Sequence, residues 1–209
     1  MKVLLINGSS HEKGCTYTAL SEVAGALEKQ GIETEIVGIG NQPLRGCIGC
    51  GSCGRNGNCR CVFDDDVVNR ILEKAEGCDG YIFGTPVYYA SGNGAMIAVM
   101  DRLFYSGKAI FAHKPGACVA SARRAGTTAT LDQMNKYLTI SQMPVVSSTY
   151  WNMVHGNAPE DVKQDLEGLQ VMRNLGTNMA WLLKCIEAGK KAGVDVPTAE
   201  AGARTNFIR

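Results

Sequence analysis

The sequence predicts an α/β domain, a five-stranded parallel sheet covered by helices on both faces. Three observations carry that expectation. Short apolar runs alternate with longer amphipathic stretches along the chain, as βαβ units require. Turn residues, 25 glycines among them, punctuate the boundaries between those runs. A length of 209 residues suits one domain with a continuous core rather than two, and neither an internal repeat nor a linker-like stretch divides it, so residues 1–209 are read as a single unit. Hydrophobic residues at 45% and charged residues at 20% belong to a globular protein and exclude a disordered chain.

Each element follows in order. Residues 3–7 form an unbroken apolar run closed by Asn7, a buried strand, and a Gly/Ser-rich turn follows it. Leu20, Val23, Ala24 and Leu27 place a helix over residues 18–30, which Gly31 stops. Residues 32–39 alternate as a second strand. A cysteine-rich loop fills residues 41–63, longer than most connections and therefore functional in character. Asp64, Asp65 and Asp66 open a helix through residue 76, with acidic groups where the helix dipole favours them. Residues 80–84 are the third strand, ended by Thr85-Pro86, and a helix covers residues 94–105. The fourth strand spans residues 117–121, and residues 127–140 are helical. Residues 144–149 form the fifth strand, and residues 159–192 a C-terminal helical region with a break expected near Gly168 or Gly176. Residues 197–209 lack periodicity and read as a loose end or as an arm that packs on a partner subunit.

Charge narrows the function classes. With 21 basic against 20 acidic residues the net charge is +1, so nucleic acid is not an expected partner. The apolar opening is too short for a signal peptide or a membrane span, and no later run approaches the length needed, which points to the cytoplasm and no membrane partner. Nine cysteines, an odd number, argue in that reducing setting for ligand binding or redox chemistry rather than disulfides.

The turn after the first strand, Gly8-Ser9-Ser10-His11-Glu12-Lys13-Gly14-Cys15-Thr16, runs directly into a helix. Unpaired backbone N–H groups, the positive end of the helix dipole and the hydroxyls of Ser9, Ser10 and Thr16 suit a bound anion there. The pattern is neither that of a P-loop nor that of a dinucleotide fold, so a terminal phosphomonoester is the expected ligand. An ordinary turn in which Thr16 or a nearby serine caps the helix rests on the same physics.

Together with Gly84-Thr85-Pro86-Val87-Tyr88-Tyr89 and Met100-Asp101-Arg102, this turn resembles the NADPH-dependent FMN reductase family of flavodoxin-like proteins, over residues 1 to about 148 and more weakly after Trp151. The resemblance implies a flavodoxin-like three-layer sandwich, FMN as cofactor and NAD(P)H as electron donor. It implies FMN phosphate contacts from Ser9, Ser10, His11, Cys15 and Thr16. His11 stands where members typically carry arginine, and Cys15 where they carry asparagine or serine, which removes a usual positive charge and a usual polar contact.

In a sheet of that order FMN lies beyond the carboxyl ends of the strands at the switch point. Pro86, Val87, Tyr88 and Tyr89 then offer a fixed backbone and aromatic rings to the flavin, although either tyrosine can instead bury its ring in the core. Ser121, Arg124 and Gly126 form the third wall by resemblance. Arg123 or Arg124 also suits the phosphate of an incoming nicotinamide cofactor, or is a solvated surface group. Arg102 reads as structural, with Asp101 as its partner.

Cys47, Cys50 and Cys53 form C-x2-C-x2-C, and Cys59 or Cys61 supplies a fourth thiolate. That spacing suits a [4Fe-4S] cluster, and the loop resembles the iron-sulfur flavoprotein branch of the same family. Zinc or no metal fits the same residues. The spacing permits Cys59 or Cys61, and the resemblance favours Cys61. Cys15, Cys78, Cys118 and Cys185 are isolated and read as core residues, and the three histidines share no motif. No hydrolase motif is present and no catalytic side chain is assigned.

The expected function is an FMN-dependent NAD(P)H oxidoreductase that passes electrons to a quinone, a nitro or azo compound, free flavin or an iron-sulfur partner. Two other readings stand beside it: an electron carrier without nicotinamide turnover, and a zinc-stabilised binding protein without flavin. The resemblance implies a homodimer or homotetramer.

Overall fold

The computed structural model describes residues 1–203, 205 and 207. Its elements run β1 (Lys2–Asn7), α1 (Cys15–Glu28), β2 (Glu33–Gly38), α2 (Ser52–Asn56), α3 (Val68–Glu76), β3 (Gly80–Tyr88), β4 (Ser91–Gly92), α4 (Gly94–Phe111), β5 (Gly116–Ala122), α5 (Thr127–Ile140), β6 (Met153–His155), α6 (Pro159–Val162) and α7 (Leu166–Lys191). The sheet order is β2-β1-β3-β5-β6, all parallel, with β4 paired antiparallel to the end of β3. This is the flavodoxin-like order, with its switch point beside β1.

Period-two alternation divides the core between the two faces of the sheet. Val3, Leu5, Ile82, Ala117 and Val119 pack under α1 and α7, whereas Leu4, Ile6, Tyr81, Phe83 and Cys118 pack under α3, α4 and α5. Strands buried on both faces must be continuously apolar, which is why β1 and β3 read so clearly in the sequence. β2 is an edge strand and is only half-buried.

Several expectations need correction, among them that Asp64, Asp65 and Asp66 open a helix: α3 starts only at Val68 and has no acidic group in its first turn. β3 passes through Thr85-Pro86 and reaches Tyr88. The β1 ladder ends at Asn7 opposite Gly84, and Pro86 lies two residues beyond Gly84 on the same side, so its missing N–H deprives no neighbouring strand. The fifth strand is not residues 144–149. Val145 makes one bridge to Gly116, then the chain turns to α7, where Ser148 Oγ donates to Val171 O (2.6 Å) and Asn178 Nδ2 to Ser147 O (2.9 Å). It returns to pair Met153–His155 with Ala120–Ala122.

The C-terminal helix does not break at either glycine. Its interruption falls between α6 and α7, and Asp165 caps the new helix by accepting from Gly168 N at 2.9 Å. Gly176 sits where a Cβ would lie 2.7 Å from Val23 O, so it is the contact that lets α7 close on α1. The first helix begins at Cys15, earlier than its apolar spacing indicates, and the short α2 inside the cysteine loop gave no periodic signal. Of the expected tail interface, Arg204, Asn206, Ile208 and Arg209 lie outside the described residues.

Candidate functional site

The loops after β1, β3 and β5 meet at the carboxyl edge of the sheet. Buried Asn7 organises the first: its Oδ1 accepts from Ser9 N (3.1 Å) and its Nδ2 donates to Glu12 O (3.1 Å). Ser9 Oγ accepts from His11 N at 3.1 Å. The loop delivers its chain to α1 at Gly14. Among the described residues no side chain caps this helix and its first turn carries no acid, so the N–H groups of Cys15, Thr16 and Tyr17 find no acceptor within the helix. The expected serine or threonine cap is therefore absent, and the donor set suits a phosphate dianion. Ser10 and His11 stand exposed at the rim.

Thr16 Oγ1 is buried and shares a 2.8 Å hydrogen bond with Ser121 Oγ, which ties the first loop to β5. Cys15 turns its thiol to the Gly156 carbonyl (3.7 Å), and partial burial raises its pKa. Its backbone N–H rather than its sulfur is available to an anion at the helix start. The sequence gives both side chains as cofactor contacts, and the structure shows both engaged within the protein.

Asn93 joins the second loop to the first. Its Nδ2 donates to Gly8 O (2.9 Å), its N–H donates to Thr85 Oγ1 (3.0 Å), and its Oδ1 caps α4 by accepting from Ala95 N (3.0 Å). Gly8 N donates to Gly84 O at 2.8 Å, and a Cβ on Gly8 would stand 2.7 Å from that same oxygen. β3 and β4 make a hairpin whose two turn residues, Tyr89 (φ 52°) and Ala90 (φ 59°), both hold left-handed backbone. Such a turn prefers Asn-Gly, and a side chain there costs about 1–2 kcal/mol per residue. Strain of this kind gathers at functional loops. It lifts the Tyr89 ring wholly into solvent beside exposed Tyr88, so neither ring packs in the core.

Gln133 holds the hairpin from α5, its Oε1 accepting from Ser91 Oγ (2.7 Å) and Gly92 N (3.1 Å). In the third loop Gly126 (φ 92°) approaches so closely that a Cβ would lie 2.7 Å from Ala90 Cα. Arg123 and Arg124 are exposed. The loops that carry Ser9, Ser10 and Thr16, Pro86 to Tyr89, and Ser121 and Gly126 are thus tied to one another at one edge of the sheet.

The cysteine loop makes a second centre. Cys47, Cys50, Cys53 and Cys61 line one cavity of about 130 Å³, with Phe63 and Arg102 in its wall. Cys59 is outside that lining, and its backbone is left-handed (φ 54°). All nine cysteines are free thiols. Among the described residues no three His, Cys, Asp or Glu side chains gather tightly enough for a single ion. The four cysteines are instead spread around the wall of one cavity. The Ser52 hydroxyl holds the Cys50 thiol below its ordinary pKa, whereas full burial raises that of Cys118.

Arg102 is buried beneath this loop and pairs with Asp66, not with Asp101 as the sequence suggests; Asp101 accepts from Tyr137 Oη at 2.5 Å. Asn69, buried on α3, clamps the same segment: its Oδ1 accepts from Cys61 N (2.9 Å) and its Nδ2 donates to Cys61 O (3.0 Å) and Phe63 O (3.1 Å). Cys185 is exposed and Cys15 half-buried, so only Cys78 and Cys118 of the isolated cysteines are core residues. His155 is partly exposed, its backbone N–H held by Asp165 at 2.7 Å. Sequence reasoning missed Asn7, Asn69, Asn93 and Gln133. A polar residue closing a strand, preceding a helix as Asn93 does, or replacing an apolar one in a helical stripe was the mark they left.

The family model for NADPH-dependent FMN reductase matches residues 1–158. An iron-sulfur flavoprotein of Methanocaldococcus jannaschii is 35% identical over 196 residues, covering 90% of this chain and 100% of the relative. An iron-sulfur flavoprotein of Methanosarcina thermophila is 27% identical over 195 residues, covering 91% and 99%. Among solved structures a flavone reductase superposes with a TM-score of 0.67 at 19% identity over 90% of this chain, which spans 64% of that longer chain. No helix among the described residues is long and apolar enough to cross a membrane.

Proposed function

The chain belongs to the NADPH-dependent FMN reductase family of flavodoxin-like oxidoreductases, and from that premise we propose that it draws electrons from NADH or NADPH onto FMN and passes them through a [4Fe-4S] cluster to an acceptor. One observation carries this reading. Four cysteines line a single cavity against α4, the same helix whose N-cap, Asn93, locks the loops after β1 and β3 together. When bound, FMN supplies hydride acceptance at N5 and release of single electrons, and the cluster supplies one-electron transfer.

The chain's own part is binding and orientation. The N–H groups opening α1, with the Ser9 and Ser10 hydroxyls, bind the FMN phosphate. Pro86 to Tyr89 and the Ser121 to Gly126 segment flank the ring, held in mutual position by Asn93, Gln133 and the Thr16–Ser121 hydrogen bond. The exposed guanidinium of Arg124, with Arg123 beside it, meets the phosphate of the nicotinamide cofactor. Hydride transfer needs no general base, and no side chain is given that task. Cys47, Cys50, Cys53 and Cys61 hold the cluster, Cys61 being the fourth ligand because it lines the cavity and Cys59 does not. The acceptor is a small molecule such as a quinone, a nitro or azo compound or free flavin, or an iron-sulfur protein. A cytoplasmic homodimer or homotetramer is the form in which we expect it.

Anaerobic purification followed by absorption spectroscopy and iron, sulfide and flavin analysis tests the cofactors, and steady-state oxidation of NADH and NADPH with an added quinone tests the activity. Turnover with either nucleotide by protein holding flavin, iron and sulfide supports the proposal. Loaded protein inert to both nucleotides, yet reduced and reoxidised by chemical donors and acceptors, would make it an electron carrier instead.

A further inference from the structure

Arg102 is the largest fully buried side chain of the described protein, and its hydrogen-bonding atoms are committed to the cysteine loop and to Asp66 just beyond it. Its Nε donates to Cys61 Sγ at 3.2 Å, its Nη2 to Phe63 O at 3.2 Å, and its Nη1 to Arg45 O at 3.3 Å and to the Asp66 carboxylate. Arg102 and Asp66 side chains are 1% and 4% exposed, so the pair is formed out of water. Asp66 Oδ1 also accepts from Val68 N at 3.1 Å, which fixes the carboxylate to the start of α3. Asn69 holds the Cys61 backbone on both its N–H and its carbonyl. Among the described residues Cys61 is the one cysteine whose sulfur receives a cationic N–H donor.

A guanidinium placed to prop a loop needs only the carbonyls of Arg45 and Phe63 and the Asp66 charge. The Nε–H on sulfur is additional and has a chemical consequence. Donors to a ligating sulfur withdraw electron density from it and stabilise the more negative, reduced state of the centre it holds. We infer that Arg102 is a positioning residue that presents Cys61 as the fourth cluster ligand and raises the cluster's reduction potential, with Asp66 limiting that rise by neutralising the guanidinium. The inference rests on the cluster proposed above. The step it tunes is the arrival of one electron from reduced FMN, with no proton taken up and no bond made or broken.

The test compares wild-type holoprotein with Arg102→Lys and Asp66→Asn, all purified anaerobically. Potentiometric titration of the cluster's paramagnetic signal is read alongside iron, sulfide and FMN content and thermal unfolding. Lysine keeps the charge but cannot span Cys61, Asp66 and two carbonyls as the planar fork does. Its potential is expected to fall by about tenfold in the one-electron equilibrium, about 59 mV. Asparagine keeps the cap on Val68 and the donor on Cys61 while removing the neutralising charge, so its potential is expected to rise.

A prop for the loop would lose stability or iron in both variants without shifts of opposite sign. Opposed shifts in loaded protein support the inference, and unchanged potentials or shifts of one sign overturn it. Where Arg102→Lys does not hold the cluster, the Asp66→Asn potential decides: a rise supports the inference and its absence overturns it. Wild-type protein free of iron and sulfide would overturn the cluster reading itself, and this inference with it, before any variant is made.

Discussion

Tyr89 holds a left-handed backbone that glycine or asparagine would adopt at less cost, and it does so with its ring in solvent, which fits the proposal that the ring packs on bound FMN. Tyr89→Gly is therefore expected to stabilise the ligand-free protein by up to about 1 kcal/mol and to weaken FMN binding. Thermal unfolding with and without FMN reads both signs, and a variant that loses stability or keeps full FMN affinity would count against a functional origin for the strain. Cys50 offers a second measurement at this scale. With its thiol held below the ordinary range by Ser52, it should react with iodoacetamide in cluster-free protein at a pH where buried Cys78 and Cys118, both raised by burial, are inert. Peptide mapping after brief alkylation identifies the order. The side chains that knit the loops together, Asn7, Asn69 and Asn93, were the least legible in the sequence, because a buried amide is defined by partners 2 to 85 residues away.

Helices and strands were legible where a period governs them. β1, β3 and β5 are buried on both faces and read as unbroken apolar runs, whereas the last strand was misplaced because Val145 and Val146 are as β-prone as Met153 and Val154. What separates the two is a hydrogen-bonded excursion onto α7 that no local propensity records. Gly176 misled in the opposite sense, since a glycine inside a helix signals either a stop or a close approach, and here it is the approach of α7 to α1. Gly176→Leu should consequently cost between about 1 and 3 kcal/mol by overpacking that contact, seen as a lower urea midpoint with little change in FMN affinity. At the sheet's edge, Glu35 on β2 accepts from Lys2 on β1 and Lys74 on α3, and those two cations lower its pKa. A carboxylate lowered on folding contributes stability above its unfolded pKa and loses it as pH falls through the folded value. Glu35→Gln is thus expected to be less stable than wild type at neutral pH and equal to it in strong acid, with the gap narrowed by salt. A constant gap across the acid range would show that the pair contributes nothing.

At the scale of the whole molecule, two centres share one helix. α4 follows its cap Asn93, which joins the first two loops of the proposed FMN site, and carries Arg102 beneath the cysteine cavity, so the two proposed redox centres share one helix. The meeting of the three loops was legible in the order of strands and the residues at their carboxyl ends. The cysteine motif, with Cys59 or Cys61 as its fourth member, was legible in the spacing, whereas the buried pairing of Arg102 with Asp66 emerged only when the loop closed on α3 and α4. Everything downstream depends on the uncapped start of α1 being a phosphate site. Isothermal titration of cofactor-free protein with FMN and with riboflavin, which differ by that phosphate alone, addresses this directly. FMN should bind at least about a hundredfold more tightly, the worth of one or two charge-assisted hydrogen bonds. Equal affinities, or no heat with FMN, would contradict the account.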